Sequence, residues 1–244
     1  MLVRVGAALL ATLLTSVAQA GRPHTVRAAH VTASASTPDT PKVVSDKSDA
    51  PSYAAATLLR RITVSGDNHG LPFILVDKLD ARIFMFDPKG KLLGSAPVLV
   101  GIGRGDDSPP GAGTRKMGKI PVAERTTPAG RFIARFGPAK GHPAVLWVDY
   151  ANAIALHPVV TTNKKERRLQ RIKSADADDH RISFGCINVP SSFYAKTIRP
   201  QFKSKNSSSV VYVLPDTEAL KDVFPGIMPA MSSPPKRQTA AGGA

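Results

Sequence analysis

The sequence predicts a mainly-β domain, a sandwich or barrel-like body with one or two short helices, set between flanking segments that build no core. Three observations predict it. From Leu71 the apolar residues come in short runs separated by Gly, Pro and Asp, which is the texture of strands and turns. Few helical patterns lie between those runs, so a layered α/β architecture is not indicated. Both ends of the chain are rich in Ala, Ser, Thr, Pro and Lys without a sustained apolar period, and cannot bury enough surface to offset their ordering entropy.

In chain order, Met1-Leu2-Val3-Arg4 leads into an apolar run closed by Ala18-Gln19-Ala20. This reads as a secretory signal peptide over 1–20, cleaved before Gly21. The run is short of the roughly 20 apolar residues a membrane span needs, so no stable span is expected after cleavage. Residues 21–52 read as a disordered tether and 53–70 as a lead-in segment, with a short helix from Tyr53 to Val64 burying Ala55, Leu58 and Leu59. The folded unit then runs over 71–215, about 145 residues, enough to bury roughly two thirds of the surface of its unfolded chain.

Within it, strands are expected over Phe73 to Val76, Arg82 to Asp87 and Ala96 to Val100. The turn Asp87-Pro88-Lys89-Gly90 closes a hairpin between the second and the third. Their core comes from Ile74, Val76, Ile83, Met85, Val98 and Val100. Gly101-Ile102-Gly103-Arg104-Gly105 lacks the following helix of a dinucleotide-binding turn and reads as loop. Strands follow at Phe132 to Phe136, Val145 to Asp149 and Ala153 to His157, the last two joined by a tight turn around Tyr150 and Asn152. Thr162 to Lys173 reads as a basic helix with a solvated face, carrying six Lys or Arg against Glu166. Pro190 opens a helix with Phe193, Tyr194, Thr197 and Ile198 inward and Pro200 as its stop. Val210 to Leu214 is a closing strand, and 216–244 a mostly disordered tail with one helical turn near Thr217 to Val223.

The formal charge of +15 raises the local concentration of anionic partners without specifying a fold. In an exported protein such partners are anionic envelope polymers. Nucleic acid is not expected, because aromatics are sparse and no compact basic helix interleaves with them.

Chemistry concentrates at Ser183-Phe184-Gly185-Cys186-Ile187-Asn188, which holds the chain's single cysteine. A lone thiol in an exported chain forms no internal disulfide. At an ordinary pKa near 8.5, about 3% is thiolate at pH 7, so nucleophilic work needs a base. His24 and His30 lie in the tether, His69 precedes the first strand and His142 sits in a Gly/Pro loop. His157, at a strand end before Pro158, and His180, six residues before the cysteine, remain as candidates. The backbone N–H groups of Gly185 and Cys186 are placed to stabilise an oxyanion.

These residues resemble the L,D-transpeptidase catalytic domain (YkuD) family of bacterial cell-wall enzymes. The family signature is an upstream His, then Ser or Thr, His, Gly, Cys, an apolar residue and Asn or Arg. Here it reads as His157 and then Ser183-Phe184-Gly185-Cys186-Ile187-Asn188, with Phe184 standing at the second His. The first hairpin and Thr127-Pro128-Ala129-Gly130-Arg131-Phe132 are also similar to family segments, and the likeness extends from about Leu71 to Leu214. The resemblance implies an L,D-transpeptidase-like β-sandwich, Cys186 as nucleophile and His157 as base. It also implies an orienting backbone carbonyl at or near Pro158, and catalytic roles for Gly185 and Ser183. Phe184, Asn188, Pro158 and Thr127 would line the substrate site. The implied reaction is attack of Cys186 on a peptidoglycan tetrapeptide stem, expelling the terminal D-Ala and forming a thioester that passes to an amine or to water. No metal or organic cofactor is implied, and the setting is the periplasm or cell envelope. The gap from His157 to Cys186 is longer than the family's and is filled by the basic tract. An L,D-carboxypeptidase and a non-catalytic peptidoglycan-binding protein are the alternatives.

Overall fold

A computed structural model describes residues 50–139, 142–202 and 207–228. The signal-peptide reading, most of the tether and the end of the tail lie outside the described residues.

The fold is mainly β, and most of it is one sheet. Strands β1 (Phe73–Asp77), β2 (Arg82–Phe86), β3 (Leu92–Pro97), β5 (Gly130–Ala139), β6 (His142–Asp149), β7 (Ile154–Pro158), β9 (Ile187–Val189) and β10 (Ser208–Val213) form it. Their order is β3-β2-β1-β10-β5-β6-β7-β9. A second, two-stranded sheet pairs β4 (Val100–Gly101) with β8 (Arg181–Ser183). Alternation along the strands sends side chains to two faces. On one face Ile74, Val76, Ile83 and Met85 join Leu146, Leu156, Ile187 and Val189 in a single core, so strands from distant parts of the sheet enclose it. All six core residues expected from the first strands are fully buried there.

The other face holds a second core that the strand pattern alone did not announce. Phe73, Leu75, Phe84, Phe86 and Tyr212 pack under α1 (Tyr53–Ser65), which contributes Ala55, Leu58 and Ile62. The helix has clear ends. Ser52 Oγ accepts the Ala55 N–H at 3.1 Å, and Gly66, at φ 68°, donates its N–H to Ile62 O. Burial on both faces explains why β1 and β2 read as continuous apolar runs rather than alternating ones.

Several elements differ from expectation. The third strand splits: Val98 N–H still donates to Ala81 O at 3.0 Å, but beyond it the chain changes partners, Leu99 bridging to Asn188 and Val100 pairing with Arg181. The basic tract forms no long helix: a 3₁₀ turn (Lys164–Glu166) and the four-residue α2 (Arg168–Arg171) meet at Arg167, whose φ is 51°. Leu169 is exposed and Ile172 alone is buried, so the tract has no apolar stripe to hold a longer helix. Pro190 caps the next helix from outside, and Pro200 lies within its last turn, Arg199–Gln201.

Strand β10 is central rather than closing: it runs parallel to β1 and antiparallel to β5. The chain after it is not yet tail. The N–H groups of Asp216, Thr217 and Glu218 converge on the Asp106 carboxylate, and Phe224 and Ile227 are buried in the α1 core. Among the described residues, no helix is long and apolar enough to cross a membrane.

Candidate active site

Strand register builds the site. The parallel pair β7–β9 sets Leu156 opposite Ile187 and His157 opposite Asn188. Cys186, one residue before β9, therefore comes level with Ala155. Residues two apart on a strand share a face, so His157 lies on the same side of β7 as Ala155 and hence as the cysteine. His157 and Cys186 line one groove of about 460 Å³, with Trp147, Glu166, Arg168 and Phe184.

The His157 ring is oriented by its neighbour. Its Nδ1 lies 2.8 Å from Pro158 O. A carbonyl oxygen only accepts, so Nδ1 carries the hydrogen and Nε2 is the basic atom of the neutral ring. His180 is placed otherwise. It is buried, with Nδ1 2.9 Å from Val98 O and Nε2 3.1 Å from Ser174 O, and is not part of the groove lining. Both of its ring nitrogens lie against backbone carbonyls, away from the groove that holds Cys186.

The cysteine loop is held from below. Ser183 Oγ accepts the Gly185 N–H at 3.0 Å and donates to Cys186 O at 2.7 Å. Asn188 Nδ2 donates to the same carbonyl at 3.2 Å, while Asn188 Oδ1 accepts from Arg168 Nη1 at 2.6 Å. Thr127 Oγ1 donates to Gly185 O at 2.8 Å and accepts the Gly101 N–H at 2.8 Å. Gly185 itself sits at φ 121°, and a Cβ there would come 2.6 Å from Thr126 O and 2.8 Å from Ile154 Cδ1.

These contacts bear on three expectations. Thr127 does not line a substrate site: its side chain is buried and both its hydrogen bonds are internal. The Gly185 N–H donates to Ser183 Oγ rather than pointing free into the groove. Ser183, buried and doubly engaged, braces the turn and lines the groove from below. Asn188 lines the floor of the groove, its amide oxygen held by Arg168 and one amide N–H by Cys186 O. Phe184 does stand in the groove wall, and the Arg125 guanidinium carbon lies 4.1 Å from its ring centroid.

Burial pushes the Cys186 thiol up from its ordinary value, opposed by the Ala155 backbone N–H and the Arg168 guanidinium. Its Sγ lies 3.7 Å from Ala153 O. Arg168 was not legible as a site residue. It belongs to a run of cations that reads as solvated surface, yet it bonds Glu166 Oε2 at 2.5 Å and Asn188 Oδ1 and reaches into the groove. Among the described residues, no three His, Cys, Asp or Glu side chains gather to hold a metal ion.

No family model and no curated protein matches the chain. Among solved structures it is similar to an L,D-transpeptidase (residues 123–326) from Xylanimonas cellulosilytica DSM 15894, with 12% identity and a TM-score of 0.34. That match covers 59% of this chain and 60% of the other. It is similar to the catalytic domain of the E. faecium L,D-transpeptidase, with 18% identity and a TM-score of 0.34, covering 59% of this chain and 96% of that one. It is also similar to the helical cell shape determining protein Pgp2 from Campylobacter jejuni, with 16% identity and a TM-score of 0.37, covering 62% and 51%.

Proposed function

We propose that the protein is a cysteine acyltransferase acting on peptide amides, specifically an exported L,D-transpeptidase of peptidoglycan stems. The observation that carries this reading is the shared groove: His157, its Nδ1 tied to Pro158 O, and Cys186 line the same cleft from adjacent parallel strands.

A thiol raised by burial is a weak nucleophile alone, so the imidazole has a defined task. His157 Nε2 takes the Cys186 proton as the thiolate attacks the scissile carbonyl. An S–C bond forms and the carbonyl oxygen becomes an oxyanion. With the Gly185 N–H donated to Ser183 Oγ, the Cys186 N–H is the local backbone donor for that oxyanion. The C–N bond then breaks, and the leaving amine takes the proton held by His157. An incoming amine, deprotonated by His157, attacks the thioester and restores the thiol; water in its place gives hydrolysis. The peptidoglycan substrate and the envelope location rest on the sequence resemblance and the signal-peptide reading.

A second reading, a non-catalytic wall-binding protein, is favoured by the same burial of the thiol. Tetrapeptide stems ending in D-Ala separate the three. Cross-linked dimers together with free D-Ala are expected, and Cys186→Ala should abolish both. Tripeptide and D-Ala without dimers would make the protein a carboxypeptidase, and binding without any D-Ala release would make it the binding module.

A further inference from the structure

On the far side of Cys186 from the His157 groove lies a second, smaller pocket of about 100 Å³, bounded by the segment between β4 and β5. Cys186, Phe184, Met117 and Ala153 line both spaces, so the two meet at the thiol. Two further lining residues are Ser108 and Arg115. Arg115 Nη1 pairs with Glu124 Oε2 at 2.7 Å. Arg115 Nε and Nη2 and Ser108 Oγ are buried without a hydrogen-bond partner among the described residues.

Buried donors left in this state cost free energy, and native proteins rarely retain them without a use. Nε–H and Nη2–H lie along one edge of the planar guanidinium, and that edge is the fork that takes both oxygens of a carboxylate. Glu124 occupies the opposite end, neutralising the cation in part while leaving the fork open. A hydroxyl beside the fork supplies a third donor.

We propose that this pocket is a carboxylate subsite, with Arg115 as the receptor and Ser108 as its auxiliary donor. It takes the free α-carboxylate of the single small residue that lies beyond the scissile bond. The inference rests on the acyl-transfer reading and deepens it: the larger groove holds the acyl part of the stem and the small pocket the residue expelled. Space for one small side chain restricts that residue to the size of alanine or glycine, and excludes a chain that continues beyond it.

Two alkylating agents of nearly equal size test the subsite without turnover. Iodoacetate carries a carboxylate and iodoacetamide does not; each forms the same S–C bond to Cys186 and releases iodide. Relative to N-acetylcysteine, the iodoacetate-to-iodoacetamide rate ratio should rise about tenfold, the scale of a charge-assisted hydrogen bond. Arg115→Gln should return the ratio to the small-thiol value and Ser108→Ala should lower it in part, whereas Lys221→Gln, which removes an exposed cation paired with Asp222 and lining neither pocket, should leave it unchanged. A ratio in the wild type equal to that of N-acetylcysteine, or one unchanged by Arg115→Gln in folded protein, overturns the proposal. Stems ending in D-Ala or in its carboxamide then separate this inference from the reading beneath it. Selective alkylation with neither stem cleaved sinks the transpeptidase function and keeps the subsite. Equal cleavage of both stems sinks the subsite and keeps the function.

Discussion

At the scale of single residues, the proposed reaction divides one task between Cys186 and His157. Burial raises the thiol, so the protonated form dominates at neutral pH and the thiolate fraction grows as pH climbs toward the raised value. In the proposed reaction the His157 imidazole offsets this. In His157→Ala, alkylation of Cys186 by iodoacetamide should therefore titrate above the ordinary thiol range near 8.5. At pH 7 it should also be at least about tenfold slower than in the wild type, as loss of a general base predicts. A His157→Ala protein that reacts at the wild-type rate would remove the imidazole from the account. The sequence carried the identity of both groups, through a lone cysteine and a histidine at a strand end. It did not carry Arg168, because one cation in a basic tract looks like the next until the fold turns it inward.

At the scale of elements, the cysteine loop is a turn whose backbone is fixed from three directions, by Ser183, Asn188 and Thr127. Gly185 is the position where that turn has no tolerance, since its φ is 121° and the space a Cβ needs is occupied by Thr126 O. Gly185→Ala should cost about 1–3 kcal/mol of stability, the scale of backbone strain, and should suppress acylation more than it lowers Tm. Full acylation at the wild-type rate would show the turn to be freer than its geometry implies. The strands themselves were largely legible, because β1, β2 and the β6–β7 hairpin announce themselves by short apolar runs and turn residues. What the runs could not say is where pairing stops. A change of partner at Leu99 divides a strand that the apolar pattern joined, and Arg167 interrupts a helix that has charge but no apolar stripe to keep it whole.

At the scale of the whole molecule, the end of the chain returns to hold the site. Lys78 Nζ bonds Asp106 Oδ1 at 2.8 Å, Gly105 O at 2.8 Å and Thr127 O at 2.9 Å, and Asp216 ties in through Arg181 at 2.5 Å. Thr127 is also the residue that grips Gly185, so this buried network lies two hydrogen bonds behind the turn that carries Cys186. Burial works to raise the Asp106 carboxyl. The Lys78 ammonium and the backbone N–H groups of Asp216, Glu218 and Thr217 outweigh it and hold the group well below the usual carboxylate range. A depressed folded value contributes stability above the unfolded pKa of about 3.9, lost as pH falls through the folded value. Asp106→Ala should destabilise the protein by about 3 kcal/mol at pH 7, leaving Lys78 short of a partner, and the deficit should shrink toward low pH. Urea midpoints at several pH values measure it; a deficit independent of pH would assign the loss to packing instead. Composition hid this network, since Asp216 follows Pro215 at the threshold of what reads as tail. The central claim, that Cys186 is a nucleophile served by His157, is tested most directly by intact mass after incubation with a carbapenem. The account predicts one adduct on Cys186 in the wild type and in His180→Ala, and none in Cys186→Ala or His157→Ala. Folded wild-type protein that gains no adduct at any pH would contradict it.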